Sequence, residues 1–143
     1  MVNRYLNKWN VIGVDLKNEP HGAATWGTNN IVTDWRLAAE RIGNTILKIN
    51  SNLLIFVEGI SNNQINLTAE ANWDGGNLTG VISAPIRLSN PQKLVYSPHV
   101  YGPDVYLQSY FTSSNFPNNM PDIWKRQWAY IKINNLGPAV RLI

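Results

Sequence analysis

The sequence predicts an α/β fold on a parallel sheet, and three observations carry that prediction. Short unbroken apolar runs recur along the chain, as Val11-Ile-Gly-Val-Asp-Leu, Leu53-Leu-Ile-Phe-Val and Leu94-Val-Tyr. Segments of helical period lie between or after them. Polar residues gather just past each run: Asn18 and Glu19, then Glu58, then His99 and Tyr101. Strand, helix, strand, loop, strand, helix, strand is the order of parallel strands joined by crossovers. In a closed α/β barrel the site lies at the C-terminal strand ends. In an open sheet it lies at a switch point. No Gly-rich phosphate loop follows any of the strands, which disfavours a nucleotide site.

Taken in order, Val11–Leu16 reads as a buried strand whose chemistry sits at its C-terminal end, in Lys17-Asn-Glu-Pro. A Gly-, Asn- and Thr-rich loop runs to about Val32. Asp34 to Ile49 is the clearest helix. Trp35, Ala38, Ala39, Ile42, Ile46 and Ile49 recur at steps of three and four and form one predicted face. Arg36 and Glu40 pair four apart on the other. Asp34 or Thr33 caps the start, and Asn50-Ser-Asn supplies the stop. Leu53–Gly59 is a second strand, apolar on both faces as parallel strands are. A long loop follows to about Lys93, and a loop of that length inside a compact domain is usually functional or else a warning about the assignment. Leu94–Tyr101 is a third strand. Pro121 to about Asn134 is a second helix with Pro121 in its first turn and Trp124, Trp128 and Ile131 as its inner stripe. Ala139–Ile143 reads as the start of a fourth strand.

Composition removes several function classes. At 44% hydrophobic and 10% aromatic, the chain is too apolar for a disordered segment. No stretch nears the roughly 18 apolar residues of a spanning helix, so no membrane role is expected. There is no cysteine, hence no disulfide or thiolate site. Twelve Lys+Arg against nine Asp+Glu give +3. The densest basic cluster is Lys125-Arg126, far from the stripe that nucleic acid needs. Met1–Trp9 has no apolar signal-peptide core. His21 and His99 without a third ligand pattern do not make a zinc centre. Asparagine pairs such as Asn29-Asn30 suit turns and caps, or hydrogen bonding to a polar ligand such as sugar. Asn66-Leu-Thr and Asn77-Leu-Thr fit the glycosylation pattern.

Glu19 is the candidate of interest. Pro20 follows it and is expected to hold its backbone extended. A carboxyl in such a site works as a general acid if its surroundings raise its pKa. A strand-end Glu on the surface is the alternative. His99 and Tyr101 read equally as a packed strand-end histidine and a core tyrosine.

The string Val11-Ile-Gly-Val-Asp-Leu-Lys-Asn-Glu-Pro-His resembles the fourth-strand signature of glycoside hydrolase family 5, the large cellulase family. The resemblance continues in order. Asp34-Trp-Arg-Leu-Ala-Ala-Glu-Arg-Ile-Gly-Asn is similar to the following helix, and Asn52-Leu-Leu-Ile-Phe-Val-Glu-Gly to the fifth strand. Trp73-Asp-Gly-Gly-Asn-Leu is similar to the loop above it, Leu94-Val-Tyr-Ser-Pro-His-Val-Tyr to the sixth strand, and Phe116-Pro-Asn-Asn-Met-Pro-Asp-Ile-Trp to the lead into the sixth helix of bacterial endo-β-1,4-glucanases.

The resemblance implies a partial (β/α)8 TIM barrel, about strands four to seven, so that residues 1–143 form an incomplete catalytic barrel domain. It implies that Glu19 is the acid/base, that Asn18 bonds the 2-hydroxyl of the cleaved sugar, and that His99 and Tyr101 line the same subsite and orient the nucleophile. Trp73 is expected to stack on a sugar face, and Trp26 is a weaker candidate. Glu58 is expected to belong to a polar network at the site floor, and His21 to shape its loop. The family's nucleophile, a Glu in a Gly-Glu-Phe-Gly-like string of the seventh strand, has no counterpart in Gly137-Pro-Ala-Val-Arg-Leu-Ile143. The chain alone is therefore expected to be inactive. The parent family acts outside the cell on β-glucan and uses no cofactor. Cellulose, mixed-linkage glucan and mannan all stay open as substrates. A non-catalytic glucan-binding remnant and a half-barrel that assembles with another chain, or self-associates through exposed barrel edges, are the competing readings.

Overall fold

A computed structural model of the chain describes residues 2–61 and 72–137. Three parallel strands run through its centre: β1 (Gly13–Asp15), β2 (Leu54–Val57) and β3 (Leu94–Tyr96), in the order β1-β2-β3. Val14 pairs with Ile55, and Ile55 with Leu94. Ile55, Val57 and Tyr96 are buried on one face and Phe56 and Val95 on the other, so the middle of the sheet is covered on both faces, as the unbroken apolar runs require. This is part of a (β/α)8 barrel. The sequence reading of strands 11–16 and 53–59 holds within each run, but the third strand is confined to the first residues of 94–101, and β1, expected to be buried, is half-buried with Asp15 exposed because it lies at the edge of the sheet. The fourth expected strand, 139–143, lies outside the described residues, as does Asn66.

Helix α1 (Trp35–Ile49) joins β1 to β2. Its start is set by Asp34, whose side chain accepts from the Arg36 N–H, and its end by Asn50. A carboxylate cap fits the positive end of the helix. The predicted face is rotated. Trp35, Ala39 and Ile46 are buried as expected, but Gly43 and Leu47 complete the inner stripe, while Ile42 and Ile49 are exposed. Arg36 is buried too, against expectation. Its guanidinium reaches Asn29 at 2.6 Å and Glu40 at 3.2 Å, which satisfies its charge under the preceding loop.

The predicted second helix is a continuous helical run from 120 to 133 with a π turn inside it: α2 (Met120–Trp124), the π turn Lys125–Ala129, then α3 (Tyr130–Ile133). Trp128 and Ile131 face inward as expected. Trp124 is half-buried, and Met120 and Ile123 pack with Tyr110 in a small second core. The turn leaves the Gln127 carbonyl to accept from Leu78 N–H at 3.3 Å, and Tyr130 donates back to Leu78 O at 2.8 Å. Those two bonds fasten the segment after Trp73-Asp-Gly-Gly-Asn to the helix. The segment between β2 and β3 contains the short 3-10 turns Thr79–Ile82 and Pro91–Lys93, and Ile60 bridges Asn77. No helix among the described residues is long and apolar enough to cross a membrane.

Candidate active site

The C-terminal ends of the strands bring four of the singled-out side chains together. Glu19 follows β1, Glu58 directly follows β2, and His99 and Tyr101 follow β3. Nδ1 of His99 lies 2.8 Å from Oε1 of Glu19, and the Tyr101 hydroxyl donates to the same oxygen at 2.6 Å. On the far side of the imidazole, Nε2 lies 3.2 Å from Oε1 of Glu58. Oε2 of Glu58 accepts the main-chain N–H of Glu19 at 2.7 Å. Two carboxyls thus flank one imidazole ring.

The two carboxyls sit in different surroundings. Glu58 is 1% exposed, and burial pushes its pKa up to about 7. Glu19 borders an open cleft of about 440 Å³ with Trp73, Asp74, Tyr101, Tyr106 and Gln108. The Tyr101 hydroxyl, and then His99, hold its pKa below the ordinary carboxylate value. The same bond raises the Tyr101 phenol to about 12. Among the described residues, then, nothing raises the Glu19 pKa to the level a resting general acid needs.

The backbone at Glu19 departs from the sequence reading. Its φ is +48°, left-handed rather than the extended pose that a following proline favours. The Glu19 N–H bonded to Glu58 fixes this pose from one side. His21 Nδ1, 2.5 Å from Glu19 O, fixes it from the other. His21 therefore shapes the loop as expected.

Trp73 is 8% exposed and stands edge-on to Tyr101, with centroids 5.1 Å apart. Its indole Nε1 has no hydrogen-bond partner among the described residues. Asn18 is exposed next to Glu19, and its carbonyl accepts from Lys17 Nζ. Its side chain does not join the Glu19–His99–Glu58 chain. Trp26 is removed from the site. It is 1% exposed and donates to Ala84 O at 2.8 Å, so its ring is core and offers no face to a sugar.

Two contributors were not foreseen. Trp35 donates its indole N–H to Glu58 O at 2.9 Å, pinning the end of β2. Gly75 has φ +75°, and a Cβ there would come 2.5 Å from Glu58 Oε2 and 3.3 Å from both Glu19 and His99. Its carbonyl accepts from Gly59 N at 2.7 Å and His99 N at 3.3 Å. The Gly75-Gly76 pair in the sequence was the available signal. Among the described residues no cluster of three His, Cys, Asp or Glu could hold a metal ion.

Parallel β/α units with a carboxyl, imidazole and phenol cluster at the strand ends define the barrel-enzyme class, in which chemistry sits on that face. The model of the Cellulase family (glycosyl hydrolase family 5) matches residues 1–141. The chain belongs to that family. It is 51% identical over 140 residues to an endoglucanase of Paenibacillus polymyxa, covering 98% of this chain and 35% of that protein. It is 52% identical over 128 residues to the major extracellular endoglucanase of Xanthomonas campestris, covering 90% and 26%. Among solved structures, the catalytic domain of the Xanthomonas enzyme superposes with a TM-score of 0.90 at 47% identity, covering 98% of this chain and 40% of that one. A cellotetraose complex of an endocellulase from Pyrococcus horikoshii gives 0.89 at 46%, covering 98% and 42%. The chain thus spans about a third of the length of the curated relatives it matches.

Proposed function

We propose that residues 1–143 are part of one catalytic barrel domain of a retaining endo-β-1,4-glucanase, with Glu19 as acid/base. The observation that carries this reading is the convergence of His99 and Tyr101 on one oxygen of Glu19, at 2.8 and 2.6 Å. Both side-chain hydrogen bonds fall on Oε1, and Glu19 belongs to the cleft wall. Glu19 gives a proton to the leaving glycosidic oxygen and later takes one from water. Asn18 binds the 2-hydroxyl of the cleaved sugar, His99 and Tyr101 line that subsite, and Trp73 meets a sugar face.

The nucleophile is a second carboxylate, which retaining enzymes place about 5–5.5 Å from the acid/base. Glu58 does not serve. It is buried, and both its oxygens are engaged by Glu19 and His99. The nucleophile comes from outside these 143 residues, and the chain alone does not turn over. A carboxylate arriving at that distance opposes the lowering of the Glu19 pKa by Tyr101 and His99. Like charge disfavours ionisation and returns Glu19 to its acid form. The parent enzyme acts outside the cell on β-glucan, a reading supported by the extracellular Xanthomonas relative and the cellotetraose-bound Pyrococcus one. Exposed barrel edges favour self-association of the 143-residue chain. Ile12, next to the edge strand β1, is 65% exposed.

The deciding experiment has two arms. The chain is assayed on soluble cellulose, with no turnover expected. Glu19→Gln is then made in the longer enzyme that contains these residues. Activity on substrates with poor leaving groups is expected to vanish, and unchanged activity refutes the assignment.

A further inference from the structure

We propose that Glu58 is a positioning residue that shares one proton with Glu19 through the His99 ring. The inference rests on Glu19 as acid/base and adds the group that holds its proton between turnovers. A neutral imidazole has one N–H donor and one bare nitrogen acceptor. His99 faces a carboxyl at each nitrogen, Glu19 at 2.8 Å and Glu58 at 3.2 Å. A neutral ring satisfies both only if one carboxyl is an anion that accepts and the other an acid that donates.

At rest the acid is Glu58. Its O–H stands 3.2 Å from Nε2 and comes into line with it by a small turn about the broad terminal torsion of the carboxyl, and Nδ1–H donates to the Glu19 carboxylate. Burial favours this arrangement from the Glu58 side, since it is 1% exposed. The Tyr101 hydroxyl favours it from the Glu19 side, since it donates to the Glu19 anion. In the transfer, the Glu58 O–H bond breaks as Nε2 gains the proton, and the Nδ1–H bond breaks as Glu19 Oε1 gains one. His99 stays neutral and changes tautomer. Glu58 becomes the anion and Glu19 the acid, so the net charge is constant. A half-turn of the Glu19 carboxyl, about a broad terminal torsion, then brings the proton to the cleft side.

The charged and titratable groups facing Glu58 are few. Asp15 at the end of β1 disfavours its anion, Glu19 does the same, and His99 offsets them. Tyr101 feels the Glu58 charge from beyond β3. The loop over the carboxyl presents Gly75, with no side chain to intervene.

The test is an NMR titration of the 143-residue chain labelled with 13C at glutamate carboxyls and 15N at histidine. The Glu19 carboxyl is expected to show a step in common with Glu58, whose pKa burial raises to about 7, because coupled sites titrate as a unit. Glu58→Gln keeps an acceptor for the Glu19 N–H but holds no transferable proton, and is expected to remove that step from Glu19. A Glu19 carboxyl silent near pH 7 in the unsubstituted chain overturns the proposal, and so does a step that persists in the variant. If the variant does not fold, the unsubstituted chain decides. The titration needs no turnover, so its outcome is separate from that of Glu19→Gln in the longer enzyme.

Discussion

The main-chain N–H of Glu19 donates to Oε2 of Glu58 across 2.7 Å, although the two residues are 39 apart in the chain. This bond ties the end of the first strand to the end of the second. It also makes the pose of the proposed acid/base depend on a carboxyl that is itself buried.

That dependence predicts a pH signature in stability. The Glu58 pKa rises from 4.5 to about 7 on folding. Between those values the folded chain keeps a proton that the unfolded chain has lost, so stability falls as pH rises through the window and levels off above it. Glu19 acts in the opposite sense at lower pH. Its folded pKa is lowered, so its contribution is present above about 4.5 and is lost as pH falls. Unfolding free energies from urea titrations are expected to decline from about pH 4.5 to 7 by an amount on the order of 3 kcal/mol. In Glu58→Gln that slope should disappear, and a slope equal to the unsubstituted one would assign the effect to other groups.

Gly75 and Gly22 form a natural pair for measuring the tightness of the site. Both have positive φ, +75° and +64°. A Cβ at Gly22 meets nothing within 4 Å, whereas one at Gly75 strikes Glu58 at 2.5 Å. Gly22→Ala is expected to cost about 1 kcal/mol, the left-handed penalty alone. Gly75→Ala should cost roughly 1–3 kcal/mol more, the usual range for overpacking. Urea unfolding of both variants checks this, and equal losses would show that the loop yields freely.

What the sequence disclosed follows from the range of the forces involved. The α1 limits were legible because Asp34 and Asn50 act within a few residues of the ends they set. The rotated stripe was not. Arg36 is buried by Asn29 and Glu40, partners that belong to the loop and to the helix flank rather than to an apolar period. Glu19, His99 and Tyr101 were legible as a group only through resemblance, because strand ends 80 residues apart share no local pattern. The left-handed Glu19 was hidden for the same reason, since a buried carboxyl overrode the preference imposed by Pro20. The π turn was hidden because its cause, Leu78 docking on Gln127, is tertiary.

Tyr101→Phe removes the largest influence holding the Glu19 pKa down. The Glu19 carboxyl is therefore expected to titrate at higher pH in that variant, read from its 13C shift. The reverse experiment probes the same bond. Glu19→Gln should bring the Tyr101 phenol from about 12 back toward 10, followed by tyrosinate absorbance. A phenol that stays at 12 would place the cause in burial instead.

The two tryptophans proposed at the sequence level separate cleanly by substitution. Trp26 fills the core and donates to Ala84 O, so Trp26→Ala is expected to cost about 3–5 kcal/mol of stability. Trp26→Phe keeps most of the apolar volume and orphans only the carbonyl, for about 1–3 kcal/mol. Neither acts at the cleft, so folded Trp26→Phe should bind cello-oligosaccharide as the unsubstituted chain does. Trp73 shares the cleft wall with Glu19 and Tyr101. Trp73→Ala is expected to weaken that binding about tenfold, or about 1.4 kcal/mol, in a calorimetric titration. Equal weakening by Trp26→Phe and Trp73→Ala would mean that the binding loss reports the fold rather than contact with the sugar.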